Sequence, residues 1–175
     1  DITWQRSSSK SSWEAYPTAQ NEVLRLTQSQ VGYSYRAVVS YVDSHGTREV
    51  LYTSPSETID NLDDPVQGEV VITGEPKEGV TLRALSDSLS DEDGIASISI
   101  SWETSKDGRN WIGLNSLSGP VLQLNQSLVG SQVRARVAVV DNFGIETNLY
   151  SQATRTVENV NNKPSGRIVI RRVGQ

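Results

Sequence analysis

The sequence predicts an all-β protein built from tandem β-sandwich units. Three features support this fold class. The chain repeats itself at a fixed offset, its apolar residues alternate with polar ones along short segments, and turn residues separate those segments. Apolar residues show no helical stripe of useful length. Strands are therefore expected throughout the chain.

The internal repeat is the strongest of these features. Residues 1–77 align with residues 99–175 at a constant offset of 98 without a gap, and 24 of the 77 positions are identical. The identical positions include two tryptophan pairs, Trp4 with Trp102 and Trp13 with Trp111. Self-similarity at a fixed period is typical of an array of one structural unit. The sequence thus predicts a tandem array with a period of 98 residues.

Short polar segments that end in proline mark the boundaries between units, at residues 60–65 and 158–164. The predicted organisation has three parts. Residues 1–62 are the C-terminal part of one repeat without its first two strands, residues 63–162 are a complete repeat, and residues 163–175 are the first strand of a following repeat. Because the chain begins at Asp1 and contains no methionine, it is expected to be a piece of a longer polypeptide.

Two segments of the complete repeat alternate clearly between apolar and polar residues. Apolar residues stand at every second position of residues 98–102 and again of residues 133–139, which places them on one face of a strand. Weaker strand signals cover residues 69–73, 80–85, 111–114, 121–124 and 149–157. Seven short strands separated by turns in about 98 residues predict a two-sheet β-sandwich.

The position of Trp102 selects one variant of this architecture. It lies on the third predicted strand, where immunoglobulin-like sandwiches place a core tryptophan. The chain contains no cysteine, so a disulfide cannot hold the two sheets together. A sandwich of this size is stable by packing alone. The predicted fold is therefore an immunoglobulin-like β-sandwich in tandem repeats.

Composition excludes several classes of function. The absence of cysteine removes thiolate metal sites and cysteine nucleophiles. The single histidine, His45, stands where the other copy has Phe143, which favours a surface substitution over a catalytic role. A net charge of −5 argues against nucleic acid and anionic membranes as partners, and no apolar run is long enough to insert into a membrane. An active site would be expected to break the repeat, so the sequence favours a protein without enzymatic activity.

Several short motifs follow one another along the complete repeat. They are VITGEPKEGVTL at 71–82, LSDEDG at 89–94, ISW at 100–102, LNQSLVG at 124–130 and VENVNNKP at 157–164. In this order the chain resembles the bacterial immunoglobulin-like or cadherin-like repeats of large RTX-type surface adhesins, over nearly its whole length. It departs from the family at Asn162, where aspartate is usual, and at Ser8–Lys10, which replace an Asp-Gly turn.

The resemblance implies a function. It suggests a structural, extender repeat of a large protein that is secreted to the bacterial cell surface, supports cell adhesion or biofilm formation, and is often stiffened by Ca²⁺ at the junctions between repeats. Its immediate partners would be the neighbouring repeats of the same chain. An alternative is an immunoglobulin-like module that binds a glycan or a host protein. The many serine and glutamine residues are compatible with this alternative but do not indicate it.

Carboxylates in three segments give a candidate calcium site. Ca²⁺ takes six to eight oxygen ligands, so a site needs several side chains from different segments. The loops after the second and sixth strands lie at the end of the sandwich where the chain enters. We expect Asp91, Asp93 and Asp141, with Asp63 or Asp64 from the linker, to meet there and hold one ion. The alternative is that these residues are solvated turn formers.

The incomplete first repeat gives one further expectation. Its predicted first strand is the third strand of the fold, so its apolar face would lack two covering strands. The last segment of the chain has the sequence of a first strand, with Ile168, Val169 and Ile170 in succession. It is expected to complete the first repeat of another copy by strand exchange, unless residues that precede Asp1 do so.

Overall fold

The computed structural model describes residues 1–20 and 22–171. Within these residues the regular structure consists of β-strands and two single-turn 3₁₀ helices, Gln28–Gln30 and Gln126–Leu128, with no α-helix. The prediction of an all-β protein is therefore confirmed. The chain divides into two compact units, Asp1–Asp64 and a second unit that begins at Pro65.

The first unit forms one antiparallel sheet of four strands. These strands are β1 (Ile2–Ser7), β2 (Glu14–Gln20), β3 (Ser34–Val42) and β4 (Arg48–Tyr52). Their order across the sheet is β2-β1-β3-β4. The central pair, β1 with β3, places Trp4 opposite Ala37.

The second unit consists of two sheets that enclose one core. Its strands are β5 (Val71–Thr73), β6 (Thr81–Leu85), β7 (Ile95–Ser105), β8 (Ile112–Ser118), β9 (Val121–Gln123), β10 (Gln132–Asp141) and β11 (Glu146–Tyr150). The smaller sheet has the order β5-β6-β9, and the larger sheet has the order β11-β10-β7-β8. Each of the seven strands overlaps a segment that the sequence predicts as a strand, although β11 shares only residues 149 and 150 with its predicted segment, and the two sheets are consistent with a β-sandwich.

The core of the second unit follows from the alternation along its strands. Trp102 on β7 and Val133, Ala135 and Val137 on β10 are fully buried. Leu82 on β6 is also fully buried and belongs to the same cluster. The indole N–H of Trp102 donates to the carbonyl oxygen of Gly119 at 2.9 Å, so the polar atom of this buried ring is satisfied.

Elements of the two units recur at the spacing of the sequence alignment. Strands β2 and β8, strands β4 and β11, and the two 3₁₀ helices each begin and end 98 residues apart. Strand β3 and strand β10 also begin 98 residues apart. Aligned segments therefore form the same elements in both units even where, as in β2 and β8, no aligned residue is identical.

The last predicted strand differs in extent from the observed one. The sequence predicts a strand over 149–157, whereas β11 ends at Tyr150. Beyond it, the hydroxyl of Ser151 accepts the backbone N–H of Ala135 at 2.9 Å, and the hydroxyl of Thr154 accepts that of Val133 at 3.1 Å. Side-chain oxygens, in place of backbone carbonyls, thus accept hydrogen bonds from the backbone of β10. The segment that follows β11 therefore pairs with β10 without regular strand geometry.

These hydroxyls give a stability prediction. Ser151→Ala leaves the buried N–H of Ala135 without its side-chain acceptor, so we expect the free energy of unfolding to fall by about 1 to 2 kcal/mol. Ser151→Thr is the matched control, because Thr53 makes the same bond to Ala37 in the first unit. Urea denaturation followed by tryptophan fluorescence measures both variants. Equal stability of Ser151→Ala and the parent chain would contradict this role.

The loop between β7 and β8 is organised by one carboxylate. Asp107 accepts the backbone N–H groups of Arg109 and Asn110, each at 2.8 Å, and bonds to the side chains of Asn110 and Ser105. These hydrogen bonds, the one from the Asn110 backbone first, hold the pKa of Asp107 well below its usual range. Lys10 is the residue of the first unit that aligns with Gly108. Its φ of 59° lies in the left-handed region, as does the φ of Gly108.

The lowered pKa predicts a pH dependence. Stabilisation by ionised Asp107 is complete above the unfolded-state pKa of about 3.9 and is lost as the pH falls toward the lower folded-state pKa. Asp107→Asn should therefore be less stable than the parent chain at neutral pH, and this difference should shrink on acidification below about pH 4. Chemical denaturation across this pH range measures it, with Asp87→Asn, in an exposed turn, as the control. A difference that does not change with pH would contradict the assignment.

Candidate metal centre

The pairing of β7 with β10 positions the first two acidic residues of the candidate site. The register shifts between Val140 and Asp141, so Asp141 lies opposite Ile95 at the start of β7. Asp93 precedes Ile95 by two residues, in the turn that leads into β7. The sheet therefore brings the end of one strand and the turn before its neighbour to the same edge.

The carboxylate of Asp141 is fixed by its own loop. Its Oδ1 atom accepts the backbone N–H groups of Phe143 at 2.8 Å and Ile145 at 2.7 Å. The residue is only 4% exposed. Among the residues that the structure describes, no donor lies within hydrogen-bonding distance of its other oxygen, Oδ2, which is buried. An ionised oxygen in this position needs a compensating positive charge or donor.

The turn before β7 is closed by Asp91. The Oδ1 atom of Asp91 accepts the backbone N–H of Asp93 at 2.8 Å, and its carbonyl oxygen accepts the N–H of Gly94 at 3.0 Å. This turn leaves Asp93 only 3% exposed. Asp91 thus acts on the backbone of the turn, whereas the side chain of Asp93 is directed to the interior.

One group of carboxylates in the described residues meets the distance criterion for a metal site. Single carboxylate oxygens of Asp63, Asp93 and Asp141 all lie within 4.8 Å of one another. Asp63 is an exposed residue of the chain segment that precedes Pro65. Of the five residues that the sequence proposes as ligands, these three come together. The other two, Asp64 and Asp91, are not members of the group.

The electrostatics of this group favour a bound cation. Three carboxylates at such short range repel one another. Burial of Asp93 and Asp141 adds a desolvation cost to their ionised forms. A cation between the three oxygens would offset both terms and would also serve the buried Oδ2 atom of Asp141. The group could therefore hold a metal ion.

The donor set fits a hard cation. The group offers only carboxylate oxygens, with no imidazole and no thiolate, which suits calcium, magnesium or manganese better than zinc or copper. Three carboxylates provide three to six oxygens depending on whether each binds through one or both atoms. Backbone carbonyls and water would complete the six to eight ligands that Ca²⁺ takes.

The first unit provides an internal comparison for the loop of Asp141. Asp43 accepts the backbone N–H groups of His45 and Thr47, both at 2.8 Å, in the same pattern. Asp43 is only partly buried and does not belong to the acidic group. A turn of this kind therefore forms without deep burial of its aspartate, and the loop alone does not explain the burial of Asp141.

Two other features raised by the sequence find structural explanations. The guanidinium of Arg134 lies 4.3 Å from the ring centres of both Trp111 and Tyr150, and it contacts Glu103 at 2.7 Å. Arg36 stacks in the same way on Trp13 and Tyr52 in the first unit. One face of each tryptophan thus packs against an arginine, which accounts for its recurrence. The histidine is exposed, as expected for a surface substitution.

Comparison of the sequence with protein-family models finds no match, and comparison with curated proteins finds none either. The assignment to RTX-type adhesin repeats therefore stays a prediction from the motifs. Within the described part of the chain, no helix has the length and apolar character needed to cross a membrane.

The acidic group predicts a response to calcium. At roughly tenfold excess over the Kd, one bound ion should stabilise the second unit by about 1.4 kcal/mol, which corresponds to a rise in Tm of about 5 to 10 °C. Asp93→Asn should abolish most of this rise because it removes one buried ligand charge. Differential scanning calorimetry with CaCl₂ and with EDTA measures the shift.

Asp43→Asn is the matched control for this experiment. It changes an aspartate in the equivalent kind of turn but outside the acidic group, so its calcium response should equal that of the parent chain. An identical Tm in calcium and EDTA for the parent chain would exclude a calcium site. An equal loss of the response in both variants would place the ion elsewhere.

Proposed function

We propose that this chain is an extender segment of a large secreted bacterial surface adhesin, with a structural role in cell adhesion or biofilm formation. One observation supports the proposal above all others: equivalent strands and 3₁₀ helices recur 98 residues apart in the two units. A unit that recurs along one chain adds length and a regular spacing. Such an array holds a distal binding domain away from the cell surface.

The residues that recur are those that build the fold. Trp4 and Trp102 stand at equivalent positions on the central strands, and Arg36 and Arg134 make equivalent stacks on aromatic rings. Side chains of this kind stabilise the packing of the strands. This pattern supports a mechanical role in which each unit contributes mainly its length and stability.

The proposed ion is calcium, held by Asp93 and Asp141 of the second unit together with Asp63. Since Asp63 belongs to the polar segment 60–65, an ion bound to it restrains that segment. A flexible joint loses conformational entropy when it is restrained, and the ion offsets that cost. An array would in this way be stiff in calcium-rich surroundings outside the cell and more flexible where calcium is scarce.

The length of the unit leads to a scattering experiment. The longest strand, β7, has 11 residues and spans about 36 Å. Chains in which the segment 65–162 is duplicated or triplicated should therefore grow in maximum dimension by about 30 to 40 Å per added unit. Small-angle X-ray scattering in calcium and in EDTA measures this growth. Chains that collapse into compact particles in both solutions would contradict the extender role.

A cellular experiment tests the location and the competing function. Antibodies against the chain should label intact cells of the organism that encodes it, and labelling only after permeabilisation would exclude a surface protein.

A glycan array probed with the same chain tests the alternative of a binding module. Specific glycan binding that is lost on substitution in one unit alone would favour that alternative over an extender.

A further inference from the structure

The segment that enters the second unit pairs with the segment that follows β6. Gln67 and Ser90 form an isolated antiparallel bridge outside the named strands. The backbone N–H of Gln67 donates to the carbonyl oxygen of Ser90 at 2.8 Å, and the N–H of Ser90 donates to the carbonyl oxygen of Gln67 at 3.0 Å. We call the contact of residues 65–69 with residues 88–90 the entry pairing. It lies wholly within the second unit.

Side chains extend this bridge in both directions. The hydroxyl of Ser88 accepts the backbone N–H of Glu69 at 3.3 Å and donates to the carbonyl oxygen of Glu69 at 3.0 Å. On the other side, the amide of Gln67 donates to the carbonyl oxygen of Pro65 at 3.0 Å. Four hydrogen bonds therefore join the entering segment to residues 88–90, and a fifth closes the turn within it.

The entry pairing requires a glycine at position 68. The φ of Gly68 is 99°, in the left-handed region that glycine favours. A Cβ atom there would lie 2.3 Å from the carbonyl oxygen of Ser88 and 2.8 Å from its carbonyl carbon. Both are backbone atoms, so any side chain at this position would force the two segments apart. Val66 and Leu89, one in each segment, pack against the core, so neither segment moves without disturbing it.

The entry pairing joins two segments that carry candidate metal ligands. Asp63 stands four residues before Gln67, and Asp93 stands three residues after Ser90. Through the bridge, about seven residues of chain thus connect the two carboxylates. If the bridge opened, the pairing of β5 with β6 would still close the chain, but the connection would grow to about sixteen residues. A shorter connection raises the effective concentration of one ligand at the other.

Asp63 is the ligand whose position depends most on such a restraint. Asp93 and Asp141 are only 3% and 4% exposed and lie in hydrogen-bonded turns. Asp63 is exposed, in a polar segment without regular structure. An ion that binds must order this residue at a cost in conformational entropy, and that cost is smaller if the chain already holds the residue near the other two.

We propose that the entry pairing positions Asp63 for the bound cation and thereby sets the calcium affinity of the site. Gly68 and Ser88 are its positioning residues, and they act through Asp63 without binding the ion. The proposal rests on the calcium site proposed above, and it adds the part of the chain that prepares this site for the ion.

Calcium titration of the full 175-residue chain tests this role. Gly68→Ala forces the two segments apart, so the calcium affinity measured by isothermal titration calorimetry should fall by about threefold or more, as the longer connection implies. Gly119→Ala is the matched control. Gly119 has nearly the same φ, 97°, but none of the described residues lies within 4 Å of the Cβ that alanine would add. This variant carries the same conformational cost and should bind calcium like the parent chain.

Ser88→Ala provides a second, milder variant. It removes two hydrogen bonds to Glu69 without adding an atom, so it should fold normally and lower the calcium affinity by about twofold. Its control is Gln123→Ala, which removes the two hydrogen bonds that Gln123 forms with Gly79 and Thr81. Scanning calorimetry separates stability from affinity. A purely structural effect lowers the Tm equally in EDTA and in calcium, whereas loss of positioning reduces the rise that calcium causes.

Three results would overturn the proposal, and they are distinguishable. A parent chain that does not respond to calcium would remove the site and this proposal with it. A parent chain that binds calcium no more tightly than Gly68→Ala and Ser88→Ala would overturn the role of the entry pairing alone and leave the calcium site intact. An equal loss of affinity in the two control variants would assign the effect to general destabilisation.

Discussion

The antiparallel pairing of β7 with β10 is the interaction on which the rest of the second unit depends. It aligns Trp102 with Ala135 and Ile100 with Val137, which places the apolar members of both strands on the core face. On the outer face the same pairing sets Arg134 opposite Glu103, where their side chains meet at 2.7 Å. Because the side chains of a strand alternate, a slip of one residue would expose the core residues and bury the charged ones. The register is therefore strongly fixed, and every feature at the ends of these strands is fixed with it.

The candidate metal centre is one such feature. The register shift at the end of β10 sets Asp141 opposite Ile95, and the turn before Ile95 carries Asp93. The hydrogen bonds of both loops are ordinary turn hydrogen bonds, and the strand pair sets where these loops lie. Two acidic side chains are thus buried at the edge of this sheet, and their desolvation costs free energy. A cation bound between the carboxylates would offset this cost.

The sequence predicts β7 and β10 well because their determinants are local. Alternation defines β7 and β10, and turn residues define where neighbouring strands begin. The site is less predictable. The segment Asp91–Asp93 shows two carboxylates with no sign of which one closes the turn, and only the structure assigns Asp91 to the backbone and Asp93 to the interior. The irregular end of β11 is similar: Ser151 and Thr154 replace carbonyls through contacts with β10, which are distant in sequence and leave no periodic signal.

Strand β9 shows how much of a sheet depends on its neighbours. Val121–Gln123 is a strand and pairs with β6. The equivalent residues 23–25 pair with no strand among the described residues and form none, although Val23 and Leu24 are identical to Val121 and Leu122. The same local sequence thus has two outcomes, and local β-propensity does not decide between them. What decides is whether a second segment supplies hydrogen-bond partners and apolar cover. In the second unit, β6 supplies both, through its pairing with β9 and through the buried side chains of Leu82 and Ala84.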